Sequence, residues 1–270
     1  MTSPIHRLDW AAQSDQGLRR QNNEDAWSAV ALGESLAPLP AGPVAWPPGG
    51  ALLMVSDGMG GAKAGEEASK LCIERLGAEL LARRGEPSPA GALRAAFVAT
   101  HAALVEAAEA DPGKEGMGAT LSALWLRAGG AYTIGHVGDS RIYGRQGGAW
   151  TQLTEDQSVG AGMLRRGELS ADEVNRLRYR SMLEQVMGGD GSPIEPQIAE
   201  GRWAPGQEFL LCSDGLHGPV AESITDLASA AFREDSLARG AQALVDCANA
   251  AGGPDNITVL LARLVPNSPA

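Results

Sequence analysis

Two segments of the chain carry the same pattern, and that pattern decides the fold. One segment reads Leu52-Leu-Met-Val-Ser-Asp57-Gly-Met-Gly-Gly61, and the other reads Phe209-Leu-Leu-Cys-Ser-Asp214-Gly-Leu-His-Gly218. Each is an apolar run of strand length followed by Ser, Asp and Gly. An aspartate directly after a buried strand holds its carboxylate rigidly at the end of a sheet, and the glycine lets backbone come close to whatever the carboxylate binds. Two copies predict that both strand ends contribute to one site.

The rest of the chain contains more strand-like runs than one short sheet can hold. Apolar or alternating runs occur at 8–13, 25–31, 51–56, 120–126, 131–137, 141–145, 149–153, 208–212 and 257–264. Glycine pairs punctuate the stretch from 120 to 153, which is typical of an antiparallel meander. The number of strands predicts two packed sheets.

Three segments have helical periodicity. Ser88-Pro89 is a typical helix start, and apolar residues then recur at three- and four-residue steps until Asp111. Similar patterns predict helices at about 64–84 and 236–252. Each helix has one apolar face to bury, so we expect the helices to cover the outer faces of the sheets.

Two segments differ from this pattern. Residues 33–50 are rich in proline and glycine, which predicts a surface loop between two strands. Residues 155–190 are charged and predict an excursion over the surface, in which a short helix begins near Ser170. This excursion gathers several arginines, and they form either a solvated helical face or a local site for an anionic partner. The arginines are Arg165, Arg166, Arg176, Arg178 and Arg180.

Composition narrows the classes of protein. The chain has 270 residues, 44% of them hydrophobic and 20% charged, which favours one globular domain over residues 1–270. The formal net charge of −11 argues against binding to nucleic acid or an anionic membrane. No apolar run is long enough to span a bilayer, and the N-terminus lacks the pattern of a secretory signal, so we expect a cytoplasmic protein. Three cysteines without a Cys-x-x-Cys spacing predict neither disulfides nor a zinc site.

Further acidic residues occur near predicted strand ends. They lie in Asn22-Asn-Glu24-Asp25, Gly138-Asp139-Ser-Arg141 and Pro254-Asp255-Asn-Ile-Thr258. Carboxylates without histidine or thiolate companions match hard cations such as Mg²⁺ or Mn²⁺, although Asp and Asn also occur in ordinary turns. A nucleotide-binding loop after Gly58 is excluded, because Lys63 is followed by Ala rather than Ser or Thr.

Taken in order, these motifs resemble the metal-dependent protein serine/threonine phosphatases, the type 2C-like or PPM family, in its bacterial form. The resemblance covers about residues 6–264, and seven short motifs in one order are far more specific than any single one. The motifs are Asp15-x-Gly-x-x-Arg20-x-x-Asn-Glu24-Asp25, Asp57-Gly-Met-Gly-Gly61, Gly118-Ala-Thr120, Gly138-Asp-Ser-Arg141, Leu153-Thr-x-Asp156, Ser213-Asp-Gly215 and Asp255-Asn-Ile-Thr258.

The resemblance implies an α+β fold, a four-layer α-β-β-α sandwich of two antiparallel sheets flanked by helices, with residues 155–190 as a flap. It also implies two Mn²⁺ or Mg²⁺ ions, with a third, weaker ion at Asp139 and Asp214. Hydrolysis of phosphoserine or phosphothreonine would use metal-activated water without a phosphoenzyme, opposite a serine/threonine kinase. The implied roles are metal binding by the carboxylates of Asp25, Asp57, Asp214 and Asp255 and by the Gly58 carbonyl, bridging of the ions and the attacking water by Asp57, a water-mediated contact by Glu24, and phosphate binding by Arg20.

The sequence departs from the family pattern at two places. Met59 stands where animal and plant members have a histidine, and Gln157 stands where a histidine usually follows the aspartate of the fifth motif. No catalytic role of those histidines can be transferred, and His101, His136 and His217 are interpreted as structural. Two other functions stay open, namely a catalytically silent regulatory relative and a different metal-dependent phosphoesterase.

Overall fold

The central strands are apolar on both faces, and this arranges the molecule in layers. The computed structural model describes residues 7–60 and 62–265, so Gly61 of the glycine motif lies outside the described residues. Along the strand 51–59, Leu53 and Val55 face a core between two sheets, whereas Leu52 and Met54 face a core under two long helices. Successive side chains of a strand point to opposite faces, so one apolar run serves two cores.

The strands, in chain order, are β1 (Arg7–Asp15), β2 (Asp25–Leu32), β3 (Leu36–Pro38), β4 (Gly42–Ala45), β5 (Ala51–Met59), β6 (Gly118–Ala119), β7 (Leu121–Arg127), β8 (Ala131–Val137), β9 (Arg141–Gln146), β10 (Ala149–Gln152), β11 (Met187–Gly188), β12 (Gln197–Arg202), β13 (Glu208–Cys212) and β14 (Ile257–Val265). The helices are α1 (Ala62–Ala82), α2 (Pro89–Ala110), α3 (Val159–Arg165), α4 (Ala171–Val174), α5 (Asp214–His217), α6 (Ile224–Ala231) and α7 (Leu237–Ala250).

Both sheets are built from antiparallel pairs. Sheet I has the order β10-β9-β13-β14-β1-β4. Sheet II has the order β11-β6-β5-β7-β8-β12, and β2 followed by β3 is added beside β5. The two strands that carry the Ser-Asp-Gly pattern, β5 and β13, therefore lie in different sheets.

Helices cover the outer face of each sheet. Helices α1 and α2 pack on sheet II, and the buried ring of Phe97 from α2 belongs to that core. Helices α6 and α7 pack on sheet I around Leu244, Leu261 and Leu210. The result is the predicted α+β class and the four-layer α-β-β-α sandwich, both of which the structure confirms.

Helix boundaries agree with the sequence signals to within a few residues. The Ser88 hydroxyl accepts a hydrogen bond from the Gly91 amide at 3.0 Å, and Pro89 opens α2. Within the excursion 155–190, Ser170 and Glu173 form a reciprocal capping box at the start of α4. Both caps satisfy amide groups that a helix N-terminus leaves unpaired. None of the helices in the described ranges is long and apolar enough to cross a bilayer.

Three expectations about the elements are wrong. Residues 33–50 are not only a loop, because they contain β3 and β4, which pair with β2 and β1 at sheet margins. Prolines are tolerated there because a marginal strand has one unpaired side. The stretch 120–153 is not one meander, because the chain leaves sheet II after β8 and enters sheet I at β9. Strand β12 and helix α6 were also missed: both segments, 197–202 and 224–231, are short, although 224–231 has apolar residues at helical spacing.

We predict that Phe97→Ala destabilises the protein by about 3–5 kcal/mol, because it leaves a cavity between α2 and sheet II. Val98→Ala is the matched control, since Val98 is the next residue of α2 and is 48% exposed. The free energy of unfolding in urea would measure both. Similar losses for the two variants would contradict the assignment of Phe97 to the core.

Candidate metal and phosphate site

The predicted site residues come together where strands of both sheets end. One cleft of about 310 Å³ is lined by seven of the eight predicted residues, namely Arg20, Glu24, Asp57, Gly58, Asp139, Asp214 and Asp255. The eighth, Asp25, lies directly beside Asp57, because Asp25 of β2 and Asp57 of β5 are partners in the register of sheet II. Asp25 instead lines a different cavity, together with Ser14 and Asn23.

Backbone and hydroxyl contacts hold Asp25 and Asp57 in place. The Ser213 hydroxyl donates to Asp25 Oδ2 at 2.7 Å, which ties sheet I to sheet II at the site. The Asp57 amide donates to the Thr120 hydroxyl at 3.0 Å, and the Thr120 amide donates back to the Asp57 carbonyl at 2.8 Å. These bonds fix both backbones, so neither carboxylate depends on a flexible loop.

The carboxylates of Asp214 and Asp255 also lie close to strand ends. Asp214 follows β13 after a single residue, Ser213, and is the first residue of α5, while Asp255 lies two residues before β14. The side chain of Asn256 anchors this corner: its amide donates to the carbonyls of Gln16 and Asn22, and its oxygen accepts from the Glu24 amide. Asn256 thus links the loop before β14 to the loop before β2.

Burial and mutual repulsion make these carboxylates costly to ionise. Burial raises the pKa of Asp25 to about 7, against the opposing effect of hydroxyl hydrogen bonds and with a contribution from Asp214. Burial, together with the charges of Asp25 and Asp214, holds the pKa of Asp57 well above its usual range. The pKa of Asp214 is also raised, first by burial and then by Asp255. An uncompensated set of like charges in a low dielectric favours protons or cations.

Two buried carboxylate oxygens have no hydrogen-bond partner among the described residues, namely Asp25 Oδ1 and Asp214 Oδ1. Buried carboxylate oxygens normally accept hydrogen bonds or coordinate an ion. In the part of the chain that the structure describes, no three His, Cys, Asp or Glu side chains are grouped so that they could hold one ion. A divalent ion here would therefore need water molecules to complete its coordination shell, which is the usual manner for Mg²⁺. The donor set fits Mg²⁺ or Mn²⁺.

Gly58 lies where no side chain can fit. A Cβ added there would stand 2.1 Å from the Gly65 carbonyl oxygen and 2.6 Å from that of Glu24. The Gly58 amide also donates to the Glu24 carbonyl at 3.2 Å. This close approach brings the start of α1 against the end of β5, and it places the Gly58 backbone in the wall of the cleft.

Arg20 stands at the mouth of the cleft. Its guanidinium donates to Asp255 Oδ2 at 2.6 Å, and about half of its side chain is exposed. Arg20 therefore forms an ion pair, and its partner Asp255 is itself a candidate metal ligand. A guanidinium has five N–H donors in a planar fork, so further N–H groups of Arg20 remain to bind a phosphate. Glu24 lies nearby, and burial raises its pKa while Arg20 lowers it.

Asp139 lies where the chain crosses from sheet II to sheet I. Burial, followed by the charge of Asp214, raises its pKa to about 7. Its backbone carbonyl accepts a hydrogen bond from His217 Nε2 at 3.0 Å. Burial lowers the pKa of both His217 and His136 to about 4, and neither lines the described part of the cleft. This geometry is consistent with the interpretation of His136 and His217 as structural residues.

Sequence reasoning missed the residues that support the carboxylates. Ser213 and Asn256 received no role, although the former bonds Asp25 and the latter anchors two loops. The repeated serine before each Asp-Gly was the available signal, since Ser56 is also buried and donates to the Thr120 carbonyl. A hydroxyl next to a strand-end aspartate is positioned to bond across the site.

The excursion 155–190 reaches the cleft with Ser181, Met182 and Leu183, and not with its arginines. Arg176, Arg178 and Arg180 are exposed. Arg166 pairs with Glu168 and Glu184. The arrangement is that of a solvated face, and an anionic partner for these arginines stays a prediction.

A two-sheet sandwich with carboxylates gathered at its strand ends, beside an arginine, has the fold and site of the metal-dependent phosphatases. A family model described as protein phosphatase 2C matches residues 44–261, and the chain belongs to that family. This confirms the family predicted from the motifs.

Similar proteins with known names or structures also support membership of this family. The chain is 35% identical to the serine/threonine protein phosphatase PstP of Mycobacterium tuberculosis over 267 residues, which cover 96% of this chain but 45% of that protein. It is 34% identical to the serine/threonine phosphatase stp of Listeria welshimeri, over 78% of this chain and 83% of the relative. A crystal structure of the PstP catalytic domain in complex with two manganese ions superimposes with a TM-score of 0.76 at 34% identity, covering 96% of this chain and 99% of that one.

We predict that the metal-free protein loses stability as pH rises from about 4 to about 7. A carboxyl group whose pKa is higher in the folded than in the unfolded chain binds its proton more tightly in the folded chain. Its contribution to stability is therefore lost between the unfolded pKa of about 4 and the folded pKa of about 7, the value for Asp25 and Asp139. The loss would be on the order of a few kcal/mol. Saturating Mn²⁺ would offset it, most strongly at the alkaline end.

Chemical unfolding in EDTA and in Mn²⁺ across this pH range would measure the effect. Asp25→Asn and Asp139→Asn should each flatten the profile in EDTA. A stability in EDTA that rises steadily with pH would contradict the assigned repulsion.

Proposed function

We propose that this chain is a Mn²⁺- or Mg²⁺-dependent phosphatase that hydrolyses phosphoserine and phosphothreonine in proteins. The observation that carries the proposal is the convergence of Asp57, Asp214, Asp255 and Asp139 on one cleft, with Asp25 behind Asp57. Family membership and the named activities of the relatives support it.

The residues of the cleft would have different roles. Asp57 is buried, and it is close enough to Asp25, Asp214 and Asp139 for their charges to raise its pKa. It is therefore suited to bridge two ions. Asp25, Asp214 and Asp255, with the Gly58 carbonyl, would hold the ions, and Glu24 would act through water. Two bound cations would supply an activated water and neutralise charge on the phosphoryl oxygens. The manganese pair in the PstP catalytic domain supports this assignment. Asp139, with Asp214, would hold a third and weaker ion.

Arg20 would bind the phosphate of the substrate. Its exposed fork at the mouth of the cleft can hold two phosphoryl oxygens. Met59 lines the cleft and carries no proton to donate. We assign the attack on phosphorus to water rather than to a side chain of the cleft, as the family resemblance implies.

The two alternatives are less well supported. A silent regulatory relative would not need a set of buried, mutually repelling carboxylates. Such a set is costly, because burial and neighbouring charges raise the pKa of Asp25 and Asp57. A different metal-dependent phosphoesterase is disfavoured because the named relatives are protein phosphatases.

The biological setting is also a proposal. We infer that residues 1–270 form one phosphatase domain, because the two sheets share a core and the excursion 155–190 packs back on the cleft. The relatives are bacterial proteins, which supports a role in bacterial signalling, in the cytoplasm and opposite a serine/threonine kinase. The acidic charge supports a protein substrate and not nucleic acid or an anionic membrane.

We predict that Asp57→Asn lowers phosphopeptide turnover in Mn²⁺ by about a hundredfold or more, since an interaction with charge in the transition state is lost. The variant should also be more stable than the wild type in EDTA, because one buried repelling charge is removed. Stopped activity assays and thermal unfolding would measure the two effects. Asp226→Asn, on the outer helix α6, is the control and should change neither. Full activity of Asp57→Asn at saturating Mn²⁺ would refute the assignment.

We predict that Arg20→Ala raises the KM for a phosphothreonine peptide by roughly tenfold, the value of one strong charged hydrogen bond. The increase in thermal stability caused by Mn²⁺ should be nearly unchanged. Arg19→Ala is the matched control, because Arg19 is the neighbouring exposed arginine and does not line the cleft. A larger defect in Arg19→Ala than in Arg20→Ala would show that the other arginine binds phosphate.

A further inference from the structure

A second, larger cavity opens beside the cleft. It has a volume of about 670 Å³ and lies between the C-terminal part of α2, the loop at 115–116 and the segment 183–194. Met59 and Leu183 line both this cavity and the cleft, so the two adjoin. We call the larger cavity the side groove.

The floor of the side groove is apolar. Val105 and Ala108 come from α2, and Val186, Pro193 and Ile194 come from the segment opposite. At the junction with the cleft, Met59 is 43% exposed, and on the cleft side Met182 is 60% exposed. Flexible thioether side chains adapt to varied partners, which suits a surface that must accept a peptide.

The rim of the side groove is acidic. Glu109, Glu115, Glu184 and Asp190 line it, and its described lining contains no lysine, arginine or histidine. All four carboxylates are exposed. Glu184 pairs with Arg166, whereas Glu109 and Glu115 have no ion pair with any residue that the structure describes. A substrate side chain with positive charge would find unpaired carboxylates there.

We propose that the side groove binds a segment with basic and apolar residues on one side of the phosphorylated residue in a protein substrate. The inference rests on the proposed phosphatase activity and specifies its substrate class. A peptide whose phosphorylated residue lies at Arg20 must extend over the surface next to the cleft, and the side groove is the depression that adjoins the cleft at Met59 and Leu183. The charge of its rim is complementary to lysine and arginine and opposes an acidic flank.

The net charge of −11 would attract any basic peptide, so the test must separate local from global attraction. Four phosphothreonine peptides of equal length serve: arginines before the phosphothreonine, arginines after it, glutamates in place of the arginines, and a neutral reference. The wild type with Mn²⁺ should show a kcat/KM roughly fivefold above the neutral peptide for arginines on one side only, the range of two exposed ion pairs. The preference should shrink with added salt.

The variant Glu109→Gln/Glu115→Gln should lose that one-sided preference and keep its rate on p-nitrophenyl phosphate, which does not reach the side groove. The control Glu106→Gln/Glu86→Gln removes the same two charges from exposed positions outside the side groove, one of them on the same helix. It should keep the preference.

An equal preference for arginines on both sides in the wild type, or an equal loss in both double variants, would overturn the inference and show that only net charge acts. No hydrolysis of any peptide or of p-nitrophenyl phosphate in Mn²⁺ would instead overturn the proposed function, and with it the inference. The wild-type comparison needs no variant, so a misfolded variant does not decide the outcome.

Discussion

The repulsion among carboxylates buried at one end of the two sheets is the constraint on which the structure depends. Burial raises the pKa of Asp25, Asp57 and Asp214, and the charges of neighbouring carboxylates raise each of these pKa values further. Such a set destabilises the fold unless protons or cations compensate it. A site of this kind persists only where the surrounding structure is stable enough to offset its cost.

The four layers supply that stability and rigidity. Each core carboxylate lies at or next to the end of a strand whose register is set by a buried neighbour, as when Leu211 of β13 pairs with Leu260 of β14. The hydroxyl of Ser213 and the amide of Asn256 then join the two sheets and the flanking loops. A site on rigid strands keeps its geometry better than one on loops, which is what a binuclear centre requires.

The surroundings of the cleft are not symmetric. The side groove brings apolar and acidic residues to one flank, while the exposed arginines of the excursion 155–190 stay outside both cavities. Part of the acidic net charge is therefore concentrated next to the cleft, on the rim of the side groove. Chemistry and substrate choice are thus assigned to different parts of the molecule: the chemistry to strand ends, and the choice to α2 and the excursion.

The sequence by itself determined the long helices and the central strands, the family and the candidate carboxylates, because these depend on local patterns. Apolar runs predicted β5, β13 and β14, the Ser88-Pro89 start predicted α2, and the Ser-Asp-Gly repeat singled out Asp57 and Asp214. Only the tertiary structure decided where distant segments meet. Strands β3 and β4 within the proline-rich segment, the crossing between sheets at Asp139, the bond from Ser213 to Asp25 and the side groove all depend on pairings between residues far apart in the chain. The physical reason is that a periodic pattern specifies which face of an element is buried but not which neighbour covers it.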